Sequence, residues 1–142
     1  MAAELKSLLL HIEADARLAA AAGGVVRYLA DAAGLQNDAI ARLQSAVVAA
    51  CSEAFEHLPV DQPQLQIRFT RFSDRMEVAL SYQDEDSPTV GLDTIAGFAA
   101  QVGGRGSIQV VLAGFDRVQY ETHGGEAVTR LTKYIGQVTP GI

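Results

Sequence analysis

An apolar stripe in the middle of the chain constrains the fold most. Ile40, Leu43, Val47, Cys51, Ala54 and Leu58 recur at intervals of 3, 4, 4, 3 and 4 residues. This spacing follows the 3.6-residue period of an α-helix, so the six side chains share one face. A helix with a single apolar face must bury it against another layer. The stripe predicts a helix running to about Leu58, and Pro59 and Pro63 end it. Cys51 lies within the stripe and reads as a small buried hydrophobe with an inert thiol.

Beyond the prolines the period falls to 2. Leu65, Ile67 and Phe69 alternate with Gln66, Arg68 and Thr70, and Met76, Val78, Leu80 and Tyr82 alternate with Glu77, Ala79 and Ser81. These are two half-buried strands joined through Ser73 and Asp74 as an antiparallel hairpin. Upstream, residues 15–33 form an Ala-rich helix carrying Leu18, Val25, Val26, Leu29 and Ala33. Gly23 and Gly24 inside it point to close packing or a local bend, at a cost of about 1 kcal/mol each relative to alanine. Gly34 is placed to cap this helix, and Asn37 or Asp38 to cap the next. Residues 5–12 fit either a short strand or a helix start.

Downstream, residues 84–88 form a polar turn and residues 93–100 a short helix packed through Ile95 and Phe98. Gly103, Gly104, Arg105, Gly106 and Ser107 make a glycine loop. Residues 108–112 fit one or two helical turns, and their β-branched content also allows a strand. Val118 and Tyr120 begin a strand, Gly124 and Gly125 signal a hairpin turn, and residues 128–134 return. The order predicts a two-layer α/β sandwich (α+β), with helices on one face of a mostly antiparallel mixed sheet.

Size and charge narrow the function. A chain of 142 residues suits one domain, taken as residues 1–142, and 49% hydrophobic content excludes disorder. The net charge of -6 opposes broad capture of nucleic acid or of an anionic membrane. Arg68, Phe69, Arg71, Phe72 and Arg75 interleave cations with aromatics, a pattern met in RNA contacts. The same alternation describes a core strand with a wet edge, which the acidic chain favours. One cysteine permits no intrachain disulfide and fits a reducing, cytoplasmic setting. No apolar run is long enough to span a bilayer, and the Leu8–Leu10 run is too short for a secretory signal.

Other chemistry is sparse. His11, His57 and His123 are far apart and form no metal-ligand pattern with the single cysteine. His57 sits near a helix end, where its charge suits capping. Glu53 and Glu56 are three apart on one helix side, read as a solvated face or the remnant of a metal site. No Ser/His/Asp triad assembles, since Ser52 lies on the long helix and not on a nucleophile elbow.

The run AVVAACSEAFEH, residues 46–57, resembles the helix AVSEACTNAIEHA of anti-sigma factors and serine-protein kinases. These form a branch of the histidine-kinase-like ATPase superfamily. The match lies in Ala46, Val47, Ala50, Cys51, Ala54, Glu56 and His57. The lead-in from Gly34 to Leu43, the glycine loop with its short helix, the run FDRVQYET, the Gly-Gly turn and the last strand complete the order. The resemblance covers roughly residues 5–134.

The resemblance implies a histidine-kinase-like fold, ATP with Mg²⁺ as cofactors, and a sigma factor or an antagonist protein as partner. Proteins of the branch commonly dimerise, so a homodimer is a further expectation. This chain departs from the pattern at the chemical positions. Ala49 stands where the family has a glutamate that activates water or a hydroxyl, and a methyl group accepts no proton. Glu53 stands where the family has a metal-binding asparagine. A carboxylate also binds Mg²⁺, so Glu53 is the candidate metal ligand. The adenine-binding Asp-x-Gly-x-Gly maps to residues 84–88, where Asp84 remains and both glycines are missing. An offset of two residues would put Tyr82 there instead. Gly104, Arg105, Gly106 and Ser107 match the loop that holds phosphates at a helix N-terminus, although such a glycine pair also serves as an ordinary loop.

The implied function is a regulatory interaction domain with weak or lost kinase activity and no resident cofactor. The alternative is an active Mg-ATP-dependent serine kinase, which would use Glu53, Asp84 and the loop from Gly104 to Ser107.

Overall fold

The computed structural model describes residues 4–61, 63–83 and 106–135. The elements run β1 (Glu4–Glu13), α1 (Ala16–Ala32), α2 (Asn37–Phe55), β2 (Gln64–Phe72), β3 (Arg75–Gln83), α3 (Gly106–Gly114), β4 (Arg117–His123) and β5 (Glu126–Tyr134). The five strands form one sheet in the order β1-β2-β3-β5-β4. All four pairings among the described residues are antiparallel.

The period-2 pattern sets the register. Leu8 pairs with Phe69, Phe69 with Val78, Val78 with Leu131 and Leu131 with Val118. One apolar row thus crosses all five strands on one face. A one-residue slip at any ladder would turn that strand's apolar set outward. The helices cover this face. Val26 and Leu29 of α1 and Leu43, Val47 and Cys51 of α2 meet Leu65, Ile67, Phe69 and Leu80 in a single core. Each such large side chain contributes about 1.5–3 kcal/mol when fully buried. Among the described residues, no buried side-chain nitrogen or oxygen lacks a hydrogen-bond partner.

The helix ends are set locally. The Asp15 carboxylate accepts the Arg17 backbone N–H at 2.8 Å and caps α1. At the other end Gly34 adopts φ +81, while Leu35 N–H donates to the Ala30 carbonyl and Gly34 N–H to that of Asp31. This is the left-handed glycine stop expected at Gly34. The expected cap at Asn37 or Asp38 is corrected, because α2 begins at Asn37, one residue earlier than an Asn37 cap allows and two earlier than an Asp38 cap allows. Ile40 N–H donates to the Gln36 carbonyl at 2.9 Å, which makes Gln36 the cap, with no side-chain cap bond. Asn37 and Asp38 lie inside the first turn, where Asp38 accepts the Ala39 N–H. The helix ends at Phe55, and Ala54 and Leu58 at the end of the stripe are only half-buried.

Residues 5–12 resolve as a strand, and residues 108–112 as helix. Gly106 and Ser107, expected in a loop, open α3 instead. Gly23 and Gly24 divide. A Cβ on Gly23 would come within 2.9 Å of Val48 Cγ2, so this glycine lets α1 approach α2, whereas Gly24 faces open space. The turn at 84–88, the helix at 93–100 and residues 103–105 of the glycine loop lie outside the described residues. Among the described residues, no helix is long and apolar enough to cross a membrane.

Candidate functional site

The candidate site is built on the side of α2 that meets α3. Gly114, the last residue of α3, is buried against α2. A Cβ there would stand 2.6 Å from the Ala46 Cβ and 2.6 Å from the Arg42 carbonyl oxygen. Hydrogen at this position therefore lets the two helix backbones nearly touch. Val111 and Phe115 fill the same contact, 2% exposed each. Ala49 and Glu53 follow Ala46 on this side of α2, three and seven residues on.

Ala49 is half-buried and packs against the core. Its methyl group offers neither proton acceptor nor ligand at the position where the resemblance puts a glutamate. Glu53 lies one turn further, with its side chain 18% exposed and its Oε2 3.6 Å from His57 Nε2. The contact lies toward the C-terminal end of α2. Glu56 caps the helix and is exposed. Among the described residues, no three His, Cys, Asp or Glu side chains gather as a metal-holding group. The backbones of Gly106 and Ser107 start α3, while Asp84, Gly104 and Arg105 lie outside the described residues. The structure thus brings Ala49 and Glu53 together on α2.

Cys51, on the opposite side of α2, is fully buried, and burial pushes its thiol up to about 12. The basic-aromatic run resolves as strand alternation. Phe69 enters the core, Arg71 Nε donates to the Phe72 carbonyl, and Arg75 stacks on the Phe72 ring at 3.9 Å. Arg75 also holds Glu77 at 2.8 Å and Asp74 at 2.9 Å, so its charge is already engaged.

Sequence reasoning missed an ionic row on the uncovered sheet face. Arg130 on β5 lies between Glu77 of β3, at 3.5 Å, and Glu121 of β4, at 3.3 Å, and Glu121 also meets His123 at 2.8 Å. The bond to His123, aided by Arg130, holds the Glu121 carboxyl below its usual range. Opposite charges at alternate positions of three predicted strands were the available signal. A shallow depression of about 160 Å³ opens nearby between His11, Gln64, Gln66, Ser81 and Glu126. It lies apart from Ala49 and Glu53.

Helices on one face of a five-stranded antiparallel sheet, with α2 and α3 flanking the candidate site, make this a two-layer α+β fold. It is the fold expected from the resemblance to the anti-sigma and serine-kinase branch. Solved structures share it, among them the two that follow. The structure of the RsbU and RsbW domains of Rv1364c from Mycobacterium tuberculosis matches with a TM-score of 0.58 and 15% identity. That match covers 89% of this chain and 32% of the other, so this chain spans about a third of the larger protein. The SiaB-SiaC complex from Pseudomonas aeruginosa matches with a TM-score of 0.54 and 15% identity, over 90% of this chain and 89% of its counterpart. At this identity the likeness is one of fold. No protein-family model and no curated protein matches the sequence.

Proposed function

We propose that this chain is a cytoplasmic regulatory domain of the partner-switching kind, which binds a sigma factor or an anti-sigma antagonist and has weak or lost kinase activity. The observation that carries the reading is Ala49. The resemblance puts it at the family's glutamate position, where its methyl group offers no proton acceptor. The Glu53–His57 pair supports it, because metal binding by Glu53 would compete with an existing partner. So does the loss of both glycines from residues 84–88. One neighbour in fold was solved as a SiaB-SiaC complex, which fits a scaffold that works by docking another protein. On this reading residues 1–142 form one degenerate ATPase domain.

The test is a direct binding measurement against the sigma factors and antagonist proteins of the host. A stoichiometric complex is expected, with the same affinity whether Mg-ATP is present or absent. A complex that forms only with nucleotide, or a partner released in phosphorylated form, would overturn the reading.

A further inference from the structure

The groove between α1 and the N-terminal part of α2 holds a pocket of about 400 Å³. Gly24, Arg27, Tyr28 and Asp31 of α1 line it with Asn37 and Ile40 of α2. Gly24 leaves the space open, since a Cβ there would meet nothing within 4 Å. Ile40 is buried and supplies an apolar lining, and Tyr28 supplies an exposed ring with the Lys6 ammonium 5.4 Å from its centre. Arg27 and Asp31 are i,i+4 neighbours of opposite sign, but they do not pair. Arg27 Nη1 donates instead to Gln44 Oε1 of α2 at 3.2 Å, and the Asp31 carboxylate meets no side-chain partner among the described residues. The residue order accounts for this, because a cation placed before an acid is the weaker arrangement on a helix. Asp38 and Arg42, with the acid first, close at 3.4 Å. The pocket thus carries one cation and one anion that do not neutralise each other.

We propose that this pocket binds a free α-amino acid with an apolar or aromatic side chain. Arg27 takes the carboxylate, since its bond to a neutral amide leaves its charge uncompensated. Asp31 takes the ammonium. Their Cα atoms lie about 6 Å apart along the helix, a span that the two charged ends of one amino acid bridge through hydrogen bonds of about 2.8 Å. The ligand's side chain lies against Tyr28 and Ile40, in the space that Gly24 leaves, and the Asn37 amide adds a donor and an acceptor. A ligand of single charge would leave either Arg27 or Asp31 unmatched. The pocket lies at the opposite end of α2 from Glu53 and uses no nucleotide, so the proposal goes beyond the partner-switching reading and does not depend on it.

Titration of the isotope-labelled protein with L-phenylalanine and with L-leucine, followed through its backbone amide resonances, tests it. Saturable shifts are expected at Gly24, Arg27, Tyr28, Asp31, Asn37 and Ile40. Hydrocinnamate lacks the ammonium of phenylalanine and phenethylamine lacks its carboxylate, and each should bind about tenfold more weakly or worse. Asp31→Asn should lose the preference for phenylalanine over hydrocinnamate, and Arg27→Gln the preference over phenethylamine. Both side chains are exposed, so the variants keep the core, and their remaining resonances show that the fold is intact. No saturable shift at these residues with either amino acid at millimolar concentration overturns the proposal. So does equal binding of the singly charged probes, or a selectivity that both substitutions leave unchanged.

Discussion

Replacing Gly114 by alanine tests how closely α3 sits on α2. The added Cβ would meet the Ala46 Cβ and the Arg42 carbonyl oxygen at 2.6 Å, and the Arg42 carbonyl carbon at 3.1 Å. Two of these atoms belong to the backbone in the middle of a helix, so they cannot swing aside as a side-chain tip would. Overpacking of this kind costs about 1–3 kcal/mol. The lower chain entropy of alanine in the unfolded state returns about 0.4–1 kcal/mol. The net expectation is a loss of about 1–2 kcal/mol. For a chain of this size each kcal/mol lowers the melting temperature by about 2–4 °C, so the melting point should fall by roughly 2–8 °C. Gly24→Ala is the matched control. It is also helical, and its Cβ meets nothing within 4 Å, so it should stabilise by about 0.5–1 kcal/mol. Urea denaturation of both variants with unchanged m-values gives the comparison. A Gly114→Ala protein as stable as wild type would refute the close approach of the two helices.

Three further outcomes follow from local geometry. Gly34→Ala should destabilise by about 1–2 kcal/mol, because φ is +81 there, and Gly34→Asn should recover part of that loss; urea midpoints read both. Cys51 should stay unreactive toward a thiol reagent until the chain unfolds. Its thiol is raised in the folded state from 9.0 to about 12, so its contribution to stability is complete below pH 9 and is lost as pH rises toward 12. Alkaline melting curves of wild type and Cys51→Ala should therefore converge. The Glu121 carboxyl is lowered from 4.5, first by His123, so its contribution is present above that pH and is lost as pH falls through the lower folded value. The Glu121→Gln variant should show a shallower loss of stability on acidification in the same assay.

The elements with one clean period were legible in the sequence. Strands β2 and β3 follow their alternation, and α2 follows its stripe through Cys51. Segments apolar on more than one side were not. Leu8, Leu9 and Leu10 are consecutive, so no period decides between strand and helix, and pairing with β2 settles it. Residues 108–112 include the β-branched Ile108, Val110 and Val111, so local preference left strand and helix open. The cap at Gln36 was illegible because its side chain makes no cap bond, whereas Asn37 and Asp38 carry the usual capping groups. At the candidate site, Ala49 gains meaning only beside the family helix, since an alanine in a helix announces nothing by itself. The Glu53–His57 pair was readable from its i,i+4 spacing. The approach at Gly114 was not, because it depends on where α3 lands.

Calorimetric titration with ATP and Mg²⁺, with ADP in parallel, tests most directly the claim that the fold outlasted its nucleotide chemistry. The account predicts no saturable heat and no thermal shift at millimolar nucleotide, in a chain that still melts cooperatively. Saturable binding in the micromolar range or tighter would contradict it, and would return Glu53, Asp84 and the loop from Gly104 to Ser107 to service as a working Mg-ATP site.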